Sequence, residues 1–320
     1  MPLLEVNGLI KRFKVPGGTV EAVSGLDFTL EQGETLALVG ESGCGKSTTG
    51  KALLGVPGPD AGSVTLGGVA LAGGRRPVGH SARGPRRDIQ MIFQDARASL
   101  NPRRRVRDLV AEGLHIAGAG RQEISTRVDA MLHAVGLDPD RVGDRRAAEF
   151  SGGQCQRIAI ARAMVMRPRV LVCDEPVASL DVSVQAQVIN LLQDMRERHG
   201  LAMLFISHDL SVVRNISDRV AVMYLGRIVE IGTVDEIYDR PRHPYTRALL
   251  DSVPVPDPAA PARGRALGGD LPSPMAPPSG CRFRTRCPLA QEICAEVAPA
   301  LDRTSDGQLS ACHFSDRVAA

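Results

Sequence analysis

The sequence predicts an α/β protein built on a parallel sheet. To it are added an antiparallel β subdomain, a helical insertion and a small irregular cysteine-rich carboxy-terminal extension. Three observations carry this. Thr35–Val39, Val170–Cys173 and Ala202–Ser207 are short apolar runs that stop at polar or glycine-bearing segments, as buried parallel strands do. Helical patterns at Lys46–Leu54, Gln154–Met166 and Val184–His199 alternate with them, and such alternation covers a parallel sheet on both faces. Between Asp95 and Phe150 the pattern is mostly helical, with Val106–Ile116 and Glu123–Val135 as helices, so a region of about 95–165 reads as an insertion.

The remaining elements follow in order. Leu3–Val6, Val20–Leu30 and Ser63–Leu66 read as short antiparallel strands, and Ile89–Phe93 as a further strand. Residues 1–235 read as the main domain and 236–320 as the extension. Within the extension, residues 253–280 hold eight Pro and four Gly in 28 positions, the composition of a linker or covering segment, and 281–320 is the cysteine-rich tail. No tandem repeat is evident.

Composition narrows the function classes. The 320 residues include 43% apolar residues, enough for a sizeable core. Lys and Arg number 39 against 36 Asp and Glu, and a net charge of +3 gives no global pull towards nucleic acid or anionic lipid. Arg75, Arg76, Arg83, Arg86 and Arg87 cluster and could touch nucleic acid, but a solvated loop face explains them better. The chain has no Trp and only three Tyr, which weighs against a stacking platform for single strands. No apolar stretch is long enough to span a membrane, and Met1–Lys14 lacks the apolar region of a secretory signal, so a cytosolic chain is expected.

Chemistry enters with Gly40-Glu41-Ser42-Gly43-Cys44-Gly45-Lys46-Ser47-Thr48, which fits G-x-x-x-x-G-K-[ST] between a buried strand and a helix. Glycines there let successive N–H groups face phosphate oxygens at a helix N-terminus. Lys46 would reach the β- and γ-phosphates of a nucleotide and the Ser47 hydroxyl would ligate Mg²⁺. A glycine-rich turn with a chance lysine is the plain alternative, and the flanking elements argue against it. Val170–Cys173 ends in Asp174-Glu175, where Asp174 suits a hold on Mg²⁺ and Glu175 could polarise an attacking water. The core is thus that of a phosphate-loop NTPase. Phe150-Ser151-Gly152-Gly153-Gln154, immediately before a helical run, offers a second anion site.

One nucleotide rarely needs two such loops in one chain. The sequence resembles the ATPase subunits of ABC transporters, whose signature loop is S-G-G-Q, usually led by Leu where Phe150 stands here. The resemblance spans residues 3 to about 235. It implies a head-to-tail pair of subunits, each ATP sandwiched between Gly40–Thr48 of one and Ser151–Gln154 of the other. It also implies roles for four further residues. Gln94 would sense Mg²⁺ and the attacking water, Asp181 would lie in the loop crossing the dimer interface, His208 would contact the γ-phosphate, and Phe13 would stack on adenine. For Phe13 a buried core aromatic is the competing reading.

A narrower resemblance follows from Gln94–Arg103, Asp181–Gln187, His243-Pro244-Tyr245-Thr246, Gly269–Pro274 and Pro277–Cys281. These resemble oligopeptide and dipeptide importer ATPases, in particular the second of the two such subunits, with Ala96 where that group often has Pro. The resemblance implies ATP-driven peptide import, with a related ATPase subunit forming a heterodimer, two membrane-spanning permease subunits and an extracytoplasmic solute-binding protein. It implies a peripheral place on the cytoplasmic face of the membrane, and no nucleic acid. A soluble ABC-type ATPase acting on nucleic acid or ribosomes, and an importer of nickel or glutathione, are the alternatives.

Four of the seven cysteines, Cys281, Cys287, Cys294 and Cys312, fall in the last 40 residues with spacing C-x5-C-x6-C-x17-C. Little apolar content predicts a weak core for this tail, which a metal cross-link would strengthen. Four thiolates suit Zn²⁺ or a [4Fe–4S] cluster. The lack of a close cysteine pair favours the cluster, and the family resemblance points the same way. Four unrelated reduced thiols are the dull alternative.

Overall fold

The computed structural model describes residues 1–72, 87–253 and 270–318. Arg75, Arg76, Arg83 and Arg86 of the arginine cluster, and residues 254–269 of the Pro- and Gly-rich segment, lie outside the described residues. The chain forms two compact units that interleave in sequence. One comprises Met1–Leu3, Leu30–Glu34 and the described part of Arg76–Ile206. The other comprises Leu4–Thr29, the described part of Thr35–Arg75, and the described residues from Ser207 onward.

From the amino terminus come β1 (Leu4–Val15), β2 (Gly18–Leu30), β3 (Thr35–Val39), α1 (Lys46–Leu53), β4 (Ala61–Leu66) and β5 (Val69–Ala72). Strands β2, β1, β4 and β5 form a four-stranded sheet in that order, with β4 antiparallel to both neighbours. This is the expected antiparallel subdomain, but β1 and β2 run 12 and 13 residues and are not short. Hairpin pairing carries the strands past their apolar runs: Leu9 and Lys11 still alternate inward, with half-buried Ile10 between them. Strand β3 is buried at every position, as a strand covered on both faces must be.

The other unit holds β6 (Ile89–Ile92), α2 (Ala96–Ser99), α3 (Val106–Ala117), α4 (Arg121–Ala134), α5 (Pro139–Val142), α6 (Gly152–Met164), β7 (Val170–Asp174), α7 (Val182–His199) and β8 (Ala202–Ile206). Strands β6, β7 and β8 lie side by side and parallel, with Ile89 opposite Val170 and Val170 opposite Ala202. The helical insertion folds as its apolar spacing demands. Leu109, Val110 and Leu114 of α3, and Ile124, Val128, Met131 and Leu132 of α4, form one buried face on each helix. Helix α3 stops at Gly118, which takes the left-handed conformation. Helix α6 starts at Gly152, two residues before the predicted Gln154, because Ser151 caps it.

The chain then returns to the first-described sheet's unit with α8 (Leu210–Ile216), β9 (Arg219–Tyr224), β10 (Arg227–Thr233), α9 (Val234–Asp239) and α10 (Pro244–Asp251). After the undescribed segment come α11 (Ile293–Glu296), β11 (Asp302–Arg303), β12 (Leu309–Ser310) and α12 (Ser315–Val318). Strand β9 runs parallel to β3, and β10 turns back antiparallel to β9. Sequence reading assigned no element to this hairpin. The tail adds β12 to the open edge of β10, and β11 to β12, so the edge is covered by the protein's own chain.

The expectation of a weak tail core needs correction. Phe283, 1% exposed, packs edge-on to Tyr224 at 5.3 Å between ring centroids and against Tyr245 at 5.4 Å, while Tyr224 and Tyr245 lie 4.7 Å apart. Beside them the buried Glu230 carboxylate accepts hydrogen bonds from His243 N at 3.0 Å and Gln308 Nε2 at 2.7 Å. Burial raises the Glu230 pKa to about 7. The tail therefore shares a core with β9, β10 and α10. Few apolar residues of the tail suffice, because Phe283 packs into large aromatics supplied by β9 and α10.

Candidate functional site

The glycine-rich loop runs from the end of β3 into α1. Gly40 and Gly45 have φ of 149° and 112°. A Cβ at Gly40 would lie 2.1 Å from the Met223 carbonyl oxygen, and one at Gly45 would lie 2.1 Å from that of Ala22. Both positions therefore exclude any side chain, whereas Gly43, with φ 80°, faces open space. Lys46, 4% exposed, turns back into the loop, and its ammonium donates to Gly40 O at 2.8 Å and Glu41 O at 3.1 Å. Thr49 Oγ1 donates to Gly45 O at 3.0 Å and fixes the first turn of α1. Ser42 and Gly43 are exposed on the loop, and Ser47 and Thr48 lie half-buried in that first turn.

Cys44 needs a qualification of its expected role. Its side chain is buried and burial pushes its thiol pKa up, so only its backbone N–H is available to a phosphate. That N–H donates to Glu41 O at 3.3 Å. In the same unit Phe13 sits near the end of β1, 37% exposed, with the Lys11 ammonium 5.6 Å from its ring centroid. This exposure disfavours the core-aromatic reading and leaves a ring face for stacking. His208 is exposed ahead of α8, whose first turn is capped by the Asp209 carboxylate at 2.8 Å from Ser211 N.

The other unit assembles a second group. Asp174 ends β7 and is 2% exposed. Glu175 follows with φ 46°, a left-handed conformation that is strained for a side-chain-bearing residue and is characteristic of functional turns. Its carboxylate accepts a 3.0 Å hydrogen bond from Gln94 Nε2. Gln94 also lines a cavity of about 1000 Å³ together with Arg97, Ser151, Gly152, Gly153 and Asp181. Five residues expected to serve one function thus open onto a single space, and Gln94 links that space to Glu175.

Two details differ from expectation. Gly152 and Gly153 lie inside the first turn of α6 and do not precede it. Gln154 is occupied in a capping box: its side-chain oxygen accepts from Ser151 N at 3.1 Å, and Ser151 Oγ accepts from Gln154 N at 3.4 Å. Gln154 thus shapes the loop, while Ser151 and the two glycines face the cavity. A Cβ at Gly153 would meet Val184 Cγ1 at 2.7 Å, so α7 can pack closely only on a glycine. Sequence reading missed Arg97, whose guanidinium donates to Phe150 O at 3.0 Å and braces the start of the Ser151 loop. Its place three residues after Gln94 was the available signal.

The tail cysteines are neighbours. Cys294 is buried and Cys281, Cys287 and Cys312 are half-buried, all free thiols. Cys281 N donates to Cys294 O at 2.8 Å. Burial raises the thiol pKa of Cys281, and raises those of Cys287 and Cys312 to about 11. For Cys312 the other three thiols act in the same direction. Among the described residues, no group of three or more His, Cys, Asp or Glu side chains stands at metal-ligand spacing.

A parallel-stranded core that carries one phosphate loop and a second, separate glycine loop defines an ABC-type ATPase unit. Comparison with known proteins agrees. Residues 23–178 match the ABC transporter family, and residues 229–294 match the oligopeptide/dipeptide transporter C-terminal region. The chain is 50% identical over 313 residues to the oligopeptide transport ATP-binding protein OppF of Escherichia coli, covering 94% of this chain and 92% of that protein. It is 49% identical over 312 residues to a putative peptide import ATP-binding protein of Brucella ovis, covering 97% of each. Among solved structures, cbiO1 of Clostridium perfringens, part of the ABC transporter complex cbiONQ, aligns with a TM-score of 0.62 at 30% identity over 74% of this chain and 90% of that one. The ADP- and Pi-bound ATP-binding cassette MJ0796 aligns with a TM-score of 0.64 at 24% identity over 72% and 98%, which supports the fold. The chain belongs to the ABC transporter family, among the ATP-binding subunits that carry the oligopeptide/dipeptide carboxy-terminal region.

The glycine geometry makes a direct prediction. Gly45→Ala drives a methyl into the Ala22 carbonyl and should abolish detectable nucleotide binding in a fluorescent-nucleotide titration. Gly43→Ala meets only the backbone penalty of a left-handed residue, roughly 1–2 kcal/mol, and should bind measurably. Equal binding by both variants would contradict the steric reading.

Proposed function

We propose that this chain hydrolyses ATP to power import of peptides through a membrane transporter, working as one half of a head-to-tail ATPase dimer. The observation that carries this is the second glycine loop. Ser151, Gly152 and Gly153 open onto a roomy cavity beside Asp181, and the chain has its own complete phosphate loop at Gly40–Thr48. A subunit with both halves of a sandwich but one nucleotide to hold is made to meet another.

The roles follow from the residues. Gly40, Ser42, Gly43, Cys44 and Gly45 offer backbone N–H groups to the phosphates, and Lys46 exchanges its two loop carbonyls for phosphate oxygens. Phe13 offers its exposed ring to the adenine. Ser47 and Asp174 would hold Mg²⁺, which offsets charge on the phosphates. Glu175 takes a proton from the attacking water, and Gln94, hydrogen-bonded to it, orients that water and reports on the nucleotide. His208 steadies the γ-phosphate. Ser151, Gly152 and Gly153 serve the nucleotide held by the partner, with Gln154 holding their loop in shape and Asp181 facing the partner's loops.

The likeness to OppF and to peptide import ATP-binding proteins supports residues 1–235 as the ATPase domain and 236–320 as its extension. It also supports docking on two permease subunits supplied by a solute-binding protein. A related but distinct ATPase subunit as dimer partner, and a peripheral place on the cytoplasmic membrane face, complete the proposal. Among the described residues no helix is long and apolar enough to cross a membrane. We also retain a [4Fe–4S] cluster on Cys281, Cys287, Cys294 and Cys312, with Zn²⁺ as the runner-up. The support is the donor chemistry of four thiols and the family resemblance, not the spacing of the thiols, and the role would be structural.

Glu175→Gln keeps the shape of the side chain but removes the base. It should bind ATP as wild type does and lose turnover by roughly 10²–10⁴-fold in a phosphate-release assay. Turnover at the wild-type rate would show that Glu175 is not the base. Chain purified without oxygen should be brown, with about four iron and four sulfide per chain on that cluster's stoichiometry. One zinc per colourless chain would install the runner-up, and metal-free protein with all four thiols alkylated would remove both.

A further inference from the structure

Glu41 is the second residue of the phosphate loop, at a position the motif leaves open. Its polar groups are nonetheless all engaged. Its N–H donates to Tyr245 Oη at 2.8 Å, and its carbonyl accepts from Lys46 Nζ at 3.1 Å. Its carboxylate takes a two-pronged bond from Arg286, Nη1 to Oε2 at 2.7 Å and Nη2 to Oε1 at 3.0 Å. Arg286 is deeply placed, its side chain 5% exposed and its guanidinium 5.9 Å from the Tyr224 ring centroid. Tyr245 is fully buried against Tyr224 and Phe283. One clamp thus comes from the His243-Pro244-Tyr245 segment and the other from the tail, one residue before Cys287.

A carboxylate in a loop built to hold a polyanion opposes its own purpose unless it is neutralised. Arg286 supplies that neutralisation in the fixed fork geometry that a lysine cannot reproduce. We propose that Arg286 and Tyr245 are positioning residues for the phosphate loop: they cancel the charge of Glu41 and hold its backbone, so that the cysteine-bearing tail sets nucleotide affinity. This rests on the loop being the ATP site. It explains why the extension packs onto this unit's aromatic core, for the core orients both clamps.

The test is calorimetric titration of Mg-ATP into the purified full chain. Arg286→Ala leaves Glu41 charged and unpaired and should weaken binding about tenfold or more. Glu41→Gln alone should bind within about threefold of wild type, and Glu41→Gln with Arg286→Ala should recover to the same range, because the repulsive charge is gone. Tyr245→Phe should weaken binding by about threefold to tenfold. Should Arg286→Ala not fold, Arg286→Lys keeps the charge without the fork and should bind more weakly than wild type with unchanged circular dichroism. Wild-type affinity in Arg286→Ala or Arg286→Lys overturns the proposal, as does a double variant as weak as Arg286→Ala. Lys46→Ala separates the two levels. If it binds ATP like wild type, the loop is not the ATP site. If it loses affinity while Arg286→Ala does not, the clamp alone is wrong.

Discussion

An ammonium can be buried only where oxygen surrounds it, and the placement of Lys46 constrains much of what lies around it. The loop must curl until the carbonyls of Gly40 and Glu41 reach the ammonium. That curl presses Gly40 onto the Met223 carbonyl and Gly45 onto that of Ala22 so closely that neither can carry a Cβ. Strands β2 and β9 therefore form the mould of the loop. The buried ammonium is thereby hydrogen-bonded within its own loop and not left bare.

The chemistry at Glu175 follows a different logic. Its left-handed backbone and its bond to Gln94 place a carboxylate at a turn that few residues tolerate. From Gln94 the cavity wall continues to Ser151 and Asp181, with Arg97 tying the following segment to Phe150 O. A change at Gln94 is thus felt by the Glu175 carboxylate on one side and by the cavity shared with Ser151 and Asp181 on the other.

Much of this was legible in the sequence, for physical reasons. Buried parallel strands are near-continuous apolar runs, so β3, β7 and β8 were found to within a residue. Phosphate loops are contiguous, so spacing alone marks them. What escaped depended on partners distant in the chain. The extra length of β1 comes from lying beside the 13-residue β2, since β4 pairs only with Leu4–Ile10, and Arg286 meets Glu41 across 245 positions. The aromatic core beside the tail comes from three scattered residues: Tyr245 and Phe283 stand in no apolar run, and Tyr224 ends the run Val220–Tyr224, whose strand the sequence reading left unassigned. The capping-box bond of Gln154 was also not foreseen, because a capping box and a nucleotide contact ask for the same residue at the same spacing.

The most direct measurement is peptide uptake by the whole transporter. Permease subunits, this chain and the related ATPase subunit proposed as its partner would be reconstituted in liposomes, with ATP on the side of the ATPase subunits and a peptide-loaded binding protein on the other. Peptide should accumulate within the ATP-containing lumen only when ATP is hydrolysable, and ATP consumption should rise when loaded binding protein is added. Uptake that proceeds equally with a non-hydrolysable analogue, or with this chain omitted, would contradict the assignment of ATP-driven import to it.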